Sequence, residues 1–289
     1  MTSTSFRKHS LAMAITAVIF APQVLAQDAE KNSAVTLDSV QVTADHRVEN
    51  IQDVPISIST ISGDQLEAIR SGGEDVRVLS ARIPSLYIES SFGRTFPRFY
   101  IRGLGNSDFD LNASQPVSLI LDDVVQENPM LKGFPMFDVE QVEVFRGPQG
   151  TMFGRNTPAG VVKFSSVKPS DEVGGYGSIT LASNDTVNLE GAIGGSLGEG
   201  WSTRLSALYQ HRGDYVDNTY TGEEDALEGY EDKAIRGQIQ YSSDDFSALF
   251  NVHMRELDGT ARLFRANMIE SGTNNPVAGF DRDKVSIDG

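Results

Sequence analysis

Polar and apolar residues alternate along most of the C-terminal part of the chain. Five runs of about ten residues, between residues 178 and 253, carry apolar side chains on one face and polar side chains on the other. In one run, Leu189 and Ile193 alternate with Asn188. Strands of a transmembrane β-barrel have this pattern, with lipid outside and a polar lumen inside. A soluble antiparallel sheet with one solvated face gives the same alternation.

The connections between these runs differ in length. The first, second and fourth are short, at 183–186, 198–200 and 242–245, whereas the third and fifth are long, at 212–231 and 256–281. If the first strand rises from the periplasm, the second and fourth connections are periplasmic turns and both long connections are extracellular. Outer-membrane barrels combine short periplasmic turns with long extracellular loops, so the lengths favour a barrel over a soluble sheet.

Residues 53–170 predict a compact domain of mixed α+β type. Ser62 and Asp64 are both suited to cap a short helix, and Glu74–Ala81 predicts a second one before Pro84. Alternating or continuous apolar runs predict the strands of this domain, at 54–61, 86–88, 99–101, 117–125, 139–145 and 160–164. Long polar loops separate them.

The N-terminal residues have two different characters. Residues 1–26 combine Arg7 and Lys8 with an apolar run and a small-residue ending at Ala26, which is typical of a secretory signal peptide. Residues 27–52 are mostly polar but contain one alternating run, Val35–Thr43. Such a segment is able to add itself as a strand to another protein's sheet; an edge strand of the next domain is the alternative.

Composition and motif searches exclude several classes of function. The net charge of −16 argues against nucleic-acid binding, and the absence of cysteine excludes disulfides and thiolate metal sites. The four histidines have no metal-ligand spacing, and no Gly-x-Ser-x-Gly or phosphate-binding loop occurs. The pair Asp122-Asp123 has no histidine partner in its domain, so we expect a salt bridge to Arg102 or Arg146. No enzyme activity, cofactor or metal is predicted.

A dense cluster of glycine and proline lies between two strands of the α+β domain. The segment Val142–Thr157 reads VEVFRGPQGTMFGRNT, and it closely resembles the plug signature of TonB-dependent outer-membrane receptors. Ile101-Arg102-Gly103 and Asp53-Val54-Pro55 resemble further plug motifs. Pro158–Lys163 departs from the sequence of many members. The order of segments along nearly the whole chain is also similar to that family.

The resemblance implies a fold and a location. Residues 53–170 are expected to be the plug, and residues 171–289 the first strands of an antiparallel transmembrane β-barrel in the cell outer membrane. A barrel wide enough to enclose a plug needs about 22 strands. Lys284–Asp288 looks like the beginning of a sixth strand, and an open sheet edge is costly in lipid. We therefore expect the chain to be an N-terminal fragment or a truncated reading frame that does not transport by itself.

The resemblance also implies partners and site residues. Energised uptake of a scarce nutrient, with a ferric siderophore as the default ligand, requires TonB together with ExbB and ExbD. A secreted adhesin or binding module with a soluble β-sheet is the alternative. The segment that resembles a TonB box comprises Leu37, Asp38, Ser39, Val40, Gln41, Val42 and Thr43. The ligand is expected on plug loops 90–98, 108–115 and 128–133, with Phe92, Arg94, Phe96, Asp108, Asn112 and Gln115 as contacts. Plug–barrel contacts are expected from Arg102, Arg146 and Arg155.

Overall fold

The fold was described from a computed structural model. It covers residues 41–42, 49–70, 75–108, 110, 112–260, 263, 265 and 268–288. The predicted signal peptide and most of the segment that resembles a TonB box lie outside these residues. No helix in the described ranges is long and apolar enough to cross a membrane.

The first part of the described chain is a small α+β domain. Its strands are β1 (Gln41–Val42), β2 (Glu49–Asn50), β3 (Ser57–Ser62), β4 (Leu86–Glu89), β5 (Arg98–Ile101), β6 (Val117–Leu121), β7 (Val124–Val125), β8 (Val139–Arg146) and β9 (Gly160–Ser166). Its helices are α1 (Gly63–Arg70) and α2 (Gly150–Phe153), with 3₁₀ turns at Val76–Leu79 and Pro129–Lys132. The central sheet has the order β3-β8-β9-β6-β7, in which only β6 and β9 run parallel.

Apolar side chains cover both faces of this central sheet. The larger cluster packs α1 and the 3₁₀ turn at Val76–Leu79 against residues such as Val142, Val144 and Phe164. The smaller cluster lies around Phe145 and Val161 and includes Val42 from β1. Because the sheet is covered on both sides, its central strands contain consecutive apolar residues, such as Leu119–Leu121 in β6 and Val161–Val162 in β9.

The second part of the described chain is a wall of long strands. Its elements are β10 (Gly174–Ala182), β11 (Thr186–Gly198), β12 (Trp201–Arg212), β13 (Val216–Asn218), β14 (Glu223–Leu227), β15 (Tyr230–Ser242), β16 (Ser247–Gly259) and β17 (Lys284–Val285). Strands β10-β11-β12-β15-β16 form one antiparallel sheet, which we call the wall. Strands β13, β14 and β17 form a separate small sheet within the long connections.

The wall is polar on the face that contacts the small domain and apolar on the opposite face. Ile193 is 64 % exposed and Phe250 is 67 % exposed, whereas Asn188, Arg236 and Gln238 are buried. A soluble sheet would bury its apolar face and expose its polar one. The observed arrangement is therefore that of barrel strands around a plug, as the alternation predicted.

The structure corrects three details of the sequence-based expectations. The run predicted as one strand at 117–125 is the hairpin β6–β7, because Asp122 and Asp123 form a tight turn with φ of 47° and 65°. The second predicted helix is only the 3₁₀ turn Val76–Leu79. Lys284–Val285 does not extend the wall but pairs in parallel with β13.

Candidate functional site

A polar cavity of about 590 Å³ lies in the small domain. Three segments build it: the loop 112–115, the stretch 126–132 that includes the second 3₁₀ turn, and the turn at 155–156. The cavity is inside the 300–1,000 Å³ range of small-molecule sites. Two of the predicted ligand contacts, Asn112 and Gln115, line it, and so does part of the loop predicted at 128–133.

One ion pair closes the outer side of the cavity. Arg155 Nη2 lies 3.1 Å from Glu127 Oε2, which also accepts a hydrogen bond from Asn156 Nδ2 at 3.3 Å. Ser114 Oγ donates to Asn156 Oδ1 at 2.7 Å and so connects two of the three segments. The Arg155 side chain is 79 % exposed, so this ion pair forms a solvated rim.

Two buried donors line the cavity, and neither has an acceptor among the residues that the structure describes. Gln115 is 4 % exposed, and its Nε2 has no hydrogen-bond partner in the described part of the chain. Lys132 is 3 % exposed. Burial lowers the pKa of Lys132 to about 8, against a smaller opposing effect of the Glu127 charge. Both side chains could bind an acceptor group that enters the cavity.

The remaining predicted ligand contacts lie outside this cavity. Phe92 is partly exposed and its ring lies 5.6 Å from that of the buried Phe96. Arg94 is buried against the wall, where its Nη2 donates to Gln210 Oε1 at 2.8 Å and its guanidinium lies 3.9 Å from the centre of the Tyr230 ring. Asp108 is exposed and accepts a hydrogen bond from the backbone N–H of Asp110.

The loop 90–98 and the cavity nevertheless share a support. Gly133 follows the second 3₁₀ turn, and the Arg94 carbonyl oxygen lies so close that a Cβ on Gly133 would be 2.0 Å from it. Arg255 of the wall donates to the Gly133 carbonyl and forms a bidentate pair with Asp232, at 2.9 and 2.7 Å. Asp232 in turn lies 3.8 Å from Arg94 Nε. The wall thereby contacts both the loop 90–98 and the end of the second 3₁₀ turn.

A second buried ion cluster attaches the small domain to the wall. Asp138 adopts φ of 48° and receives a bidentate pair from Arg204, at 2.6 and 2.8 Å. Arg236 donates to the carbonyls of Phe137 and Asp138, at 2.9 and 2.8 Å. The Asp138 backbone N–H donates to Glu190 Oε1 at 3.0 Å. We call Asp138, Glu190, Arg204 and Arg236 the anchor cluster.

Two of the arginines predicted to contact the barrel, Arg146 and Arg155, have their partners within the small domain among the described residues. Arg146 donates to the Pro84 carbonyl and to Ser57 and Ser59, all within the small domain. Burial and the neighbouring charge of Arg102 lower the pKa of Arg146. Arg155 pairs with Glu127. The wall arginines Arg204 and Arg236 pair with Asp138 of the small domain, and Arg70 of the small domain pairs with Glu190 of the wall at 2.7 Å, so each side contributes both signs of charge.

The aspartate pair also has other partners than expected. Asp122 accepts from the backbone N–H and hydroxyl of Ser166 and from Asn251 Nδ2 of the wall, at 2.7 to 2.9 Å. Asp123 Oδ1 lies 2.7 Å from Lys163 Nζ. The expected bridges to Arg102 or Arg146 were therefore wrong, because Asp122 is bound by Ser166 and Asn251 and Asp123 by Lys163.

Of the segment that resembles a TonB box, the described residues are Gln41 and Val42. The Gln41 carbonyl accepts a hydrogen bond from Gln141 Nε2 at 3.0 Å, and the Val42 side chain is fully buried in the smaller apolar cluster. Leu37, Asp38, Ser39, Val40 and Thr43 lie outside the described residues. The end of this segment is thus attached to the small domain.

Comparisons with known proteins define the class to which this architecture belongs. Residues 50–161 match the family model "TonB-dependent Receptor Plug Domain". The chain is similar to the ferrioxamine B receptor of Salmonella typhimurium, with 26 % identity over 200 residues that make up 68 % of this chain and 28 % of the relative. It is also similar to the vitamin B12 transporter BtuB of Vibrio vulnificus, with 25 % identity over 97 % of this chain and 45 % of the relative.

A solved structure shows the same fold. The ferric yersiniabactin uptake receptor FyuA of Yersinia pestis superposes with a TM-score of 0.65 at 23 % identity, covering 71 % of this chain and 32 % of that one. The chain thus spans about a third or less of the length of FyuA and of the ferrioxamine B receptor. The small domain is thus a plug domain of the TonB-dependent receptor family, and the wall has the fold of the barrel strands of such an outer-membrane receptor. These relatives are named as receptors and transporters rather than enzymes, which confirms the non-enzymatic interpretation.

Proposed function

We propose that the chain belongs to a receptor that takes up a scarce nutrient across the outer membrane, with a ferric siderophore as the ligand. The observation that carries the proposal is the polar cavity in a plug that is itself anchored to an inward-polar wall. The names of the ferrioxamine B and ferric yersiniabactin receptors support iron as cargo, and the vitamin B12 transporter shows that other nutrients use the same architecture.

The proposed mechanism needs no covalent chemistry. The ligand binds at the plug cavity, at the loop 90–98, where Phe92 is accessible, and at the loop 108–115, where Asp108 is accessible. Arg94, Phe96 and Gln115 are buried, so Arg94 and Phe96 support the loop, whereas Gln115 faces the cavity. The segment Leu37–Thr43 then pairs as an added strand with TonB, which is energised through ExbB and ExbD. Engagement of the whole segment requires Val42 to leave its buried position.

Uptake of ⁵⁵Fe-labelled ferric complexes by cells that produce the receptor tests this function. Transport should require TonB, and Val40→Pro should abolish it, because proline removes a backbone N–H from an added strand. Asn32→Pro, in the polar stretch before the segment, is the matched control and should leave uptake unchanged. Uptake that persists without TonB, or that is equally insensitive to both substitutions, would refute the proposal.

A further inference from the structure

Lys132 is a buried cation for which the plug provides no direct partner. It forms no hydrogen bond or ion pair with any residue in the described ranges, although it is almost completely buried. A buried ammonium group is unfavourable unless it is paired. Among the described lining residues, Glu127 is the only carboxylate, and it is already bound by Arg155 and Asn156. Lys132 therefore brings to the cavity a positive charge that no described carboxylate contacts directly, although the charge of Glu127 lies near enough to oppose the effect of burial.

Gln115 adds an unsatisfied donor to the same cavity. Its Nε2 is buried and unpartnered within the described part of the chain. A hydrogen-bond donor on the ligand could not pair with Lys132 Nζ or Gln115 Nε2, because both of these groups are donors themselves. An anionic oxygen, by contrast, would accept from both. Charge-assisted hydrogen bonds of this kind are about twice as strong as neutral ones.

We propose that Lys132 and Gln115 together bind an anionic oxygen of the ligand, so that the receptor selects organic iron complexes with net negative charge. This inference rests on the proposed function and specifies the ligand class. Carboxylate and catecholate complexes belong to the class, whereas a neutral tris-hydroxamate complex does not. The ion pair Arg155–Glu127 at the rim has no net charge, so it adds no comparable preference for anionic ligands.

Binding of three iron(III) complexes to the purified receptor in detergent tests the inference. The probes are the citrate complex, the tris(2,3-dihydroxybenzoate) complex and the neutral tris(acetohydroxamate) complex. At least one of the two anionic complexes should bind at least tenfold more tightly than the neutral one. Equal or tighter binding of the neutral complex, or no binding of any of the three, would overturn the inference.

Substitutions locate the preference at the cavity. Lys132→Met should weaken binding of the anionic complex about 10- to 100-fold, and Gln115→Leu should weaken it less. The exposed Lys168 provides the matched control, so Lys168→Met should change binding less than twofold. Binding to the wild type should also weaken above pH 8, where Lys132 loses its proton, and Lys132→Met should remove that pH dependence. An anionic preference that survives Lys132→Met would refute the assignment.

The result is separable from the proposed function. If uptake depends on TonB while the neutral complex is preferred, the ligand class is wrong and the transport function stands. If anionic complexes bind through Lys132 but uptake does not depend on TonB, the transport function is wrong and the ligand assignment stands.

Discussion

Asp138→Asn should loosen the plug within the wall. The substitution keeps the size of the side chain but leaves Arg204 and Arg236 buried next to a neutral group. Removing one partner of a buried ion pair costs about 3–5 kcal/mol, because the remaining charge stays desolvated. The carbonyl bonds of Arg236 remain, so the lower end of that range is expected.

Hydrogen exchange of the plug strands measures this effect. Backbone amides of β8, which begins directly after Asp138, should exchange about a hundredfold faster in Asp138→Asn, since about 1.4 kcal/mol corresponds to a factor of ten. Arg155→Gln is the matched control: it breaks an exposed ion pair worth at most about 1 kcal/mol, so exchange should change by less than about fivefold.

A double substitution separates the ion pair from a general packing defect. Arg204→Met combined with Asp138→Asn removes one unpaired charge and should recover part of the lost protection, because an apolar group replaces a buried cation. If Asp138→Asn accelerated exchange no more than Arg155→Gln, the anchor cluster would not hold the plug and this reasoning would be refuted.

Two further substitutions test the cavity and its support. Lys132→Met should raise the free energy of unfolding in urea by about 3 kcal/mol at pH 7, because the folded-state pKa of Lys132, about 8, lies below the ordinary lysine value of 10.5. The wild type gains stability between pH 8 and 10.5, where the unfolded chain binds the extra proton, so the difference should vanish near pH 10.5. A difference independent of pH would contradict this. Gly133→Ala should lower thermal stability through the Arg94 carbonyl clash, whereas Gly237→Ala, which has open space, should not; equal effects of the two would count against the contact.

The strands of the wall and their faces were predictable from the sequence. Alternation assigned Leu189 and Ile193 to one face and Asn188 to the other, and period-2 geometry leaves no other arrangement once a strand forms. The turn at Asp122-Asp123 was missed, because three adjacent apolar residues before it suggested a longer buried strand. The available signal was the pair of aspartates between two apolar runs, since aspartate is a common turn residue that tolerates the positive φ observed here.

The contacts between plug and wall were less predictable. The glycine-rich loop suggested Arg146 and Arg155 as the contact residues. The residues that do join the two parts, such as Asp138 and Arg204, are more than 50 positions apart in the sequence, and their pairing depends on strand register, which the motif does not encode. Asp138 stands alone between Phe137 and Val139, and Lys132 between Leu131 and Gly133; a single charge within an apolar run was the available signal. Gln115 was predicted as a ligand contact, but only the three-dimensional structure shows that Gln115 and Lys132 line the same cavity.

The inside-out wall is the claim on which every other conclusion depends, and site-directed fluorescence tests it most directly. The chain contains no cysteine, so single cysteines introduced at Ile193 and at Ser206 would each carry one environment-sensitive label in lipid vesicles. Lipids brominated on their acyl chains should quench the label at position 193, which faces outward, and should leave the label at position 206, which is buried against the plug, unquenched. Quenching at position 206 with none at position 193 would contradict the account.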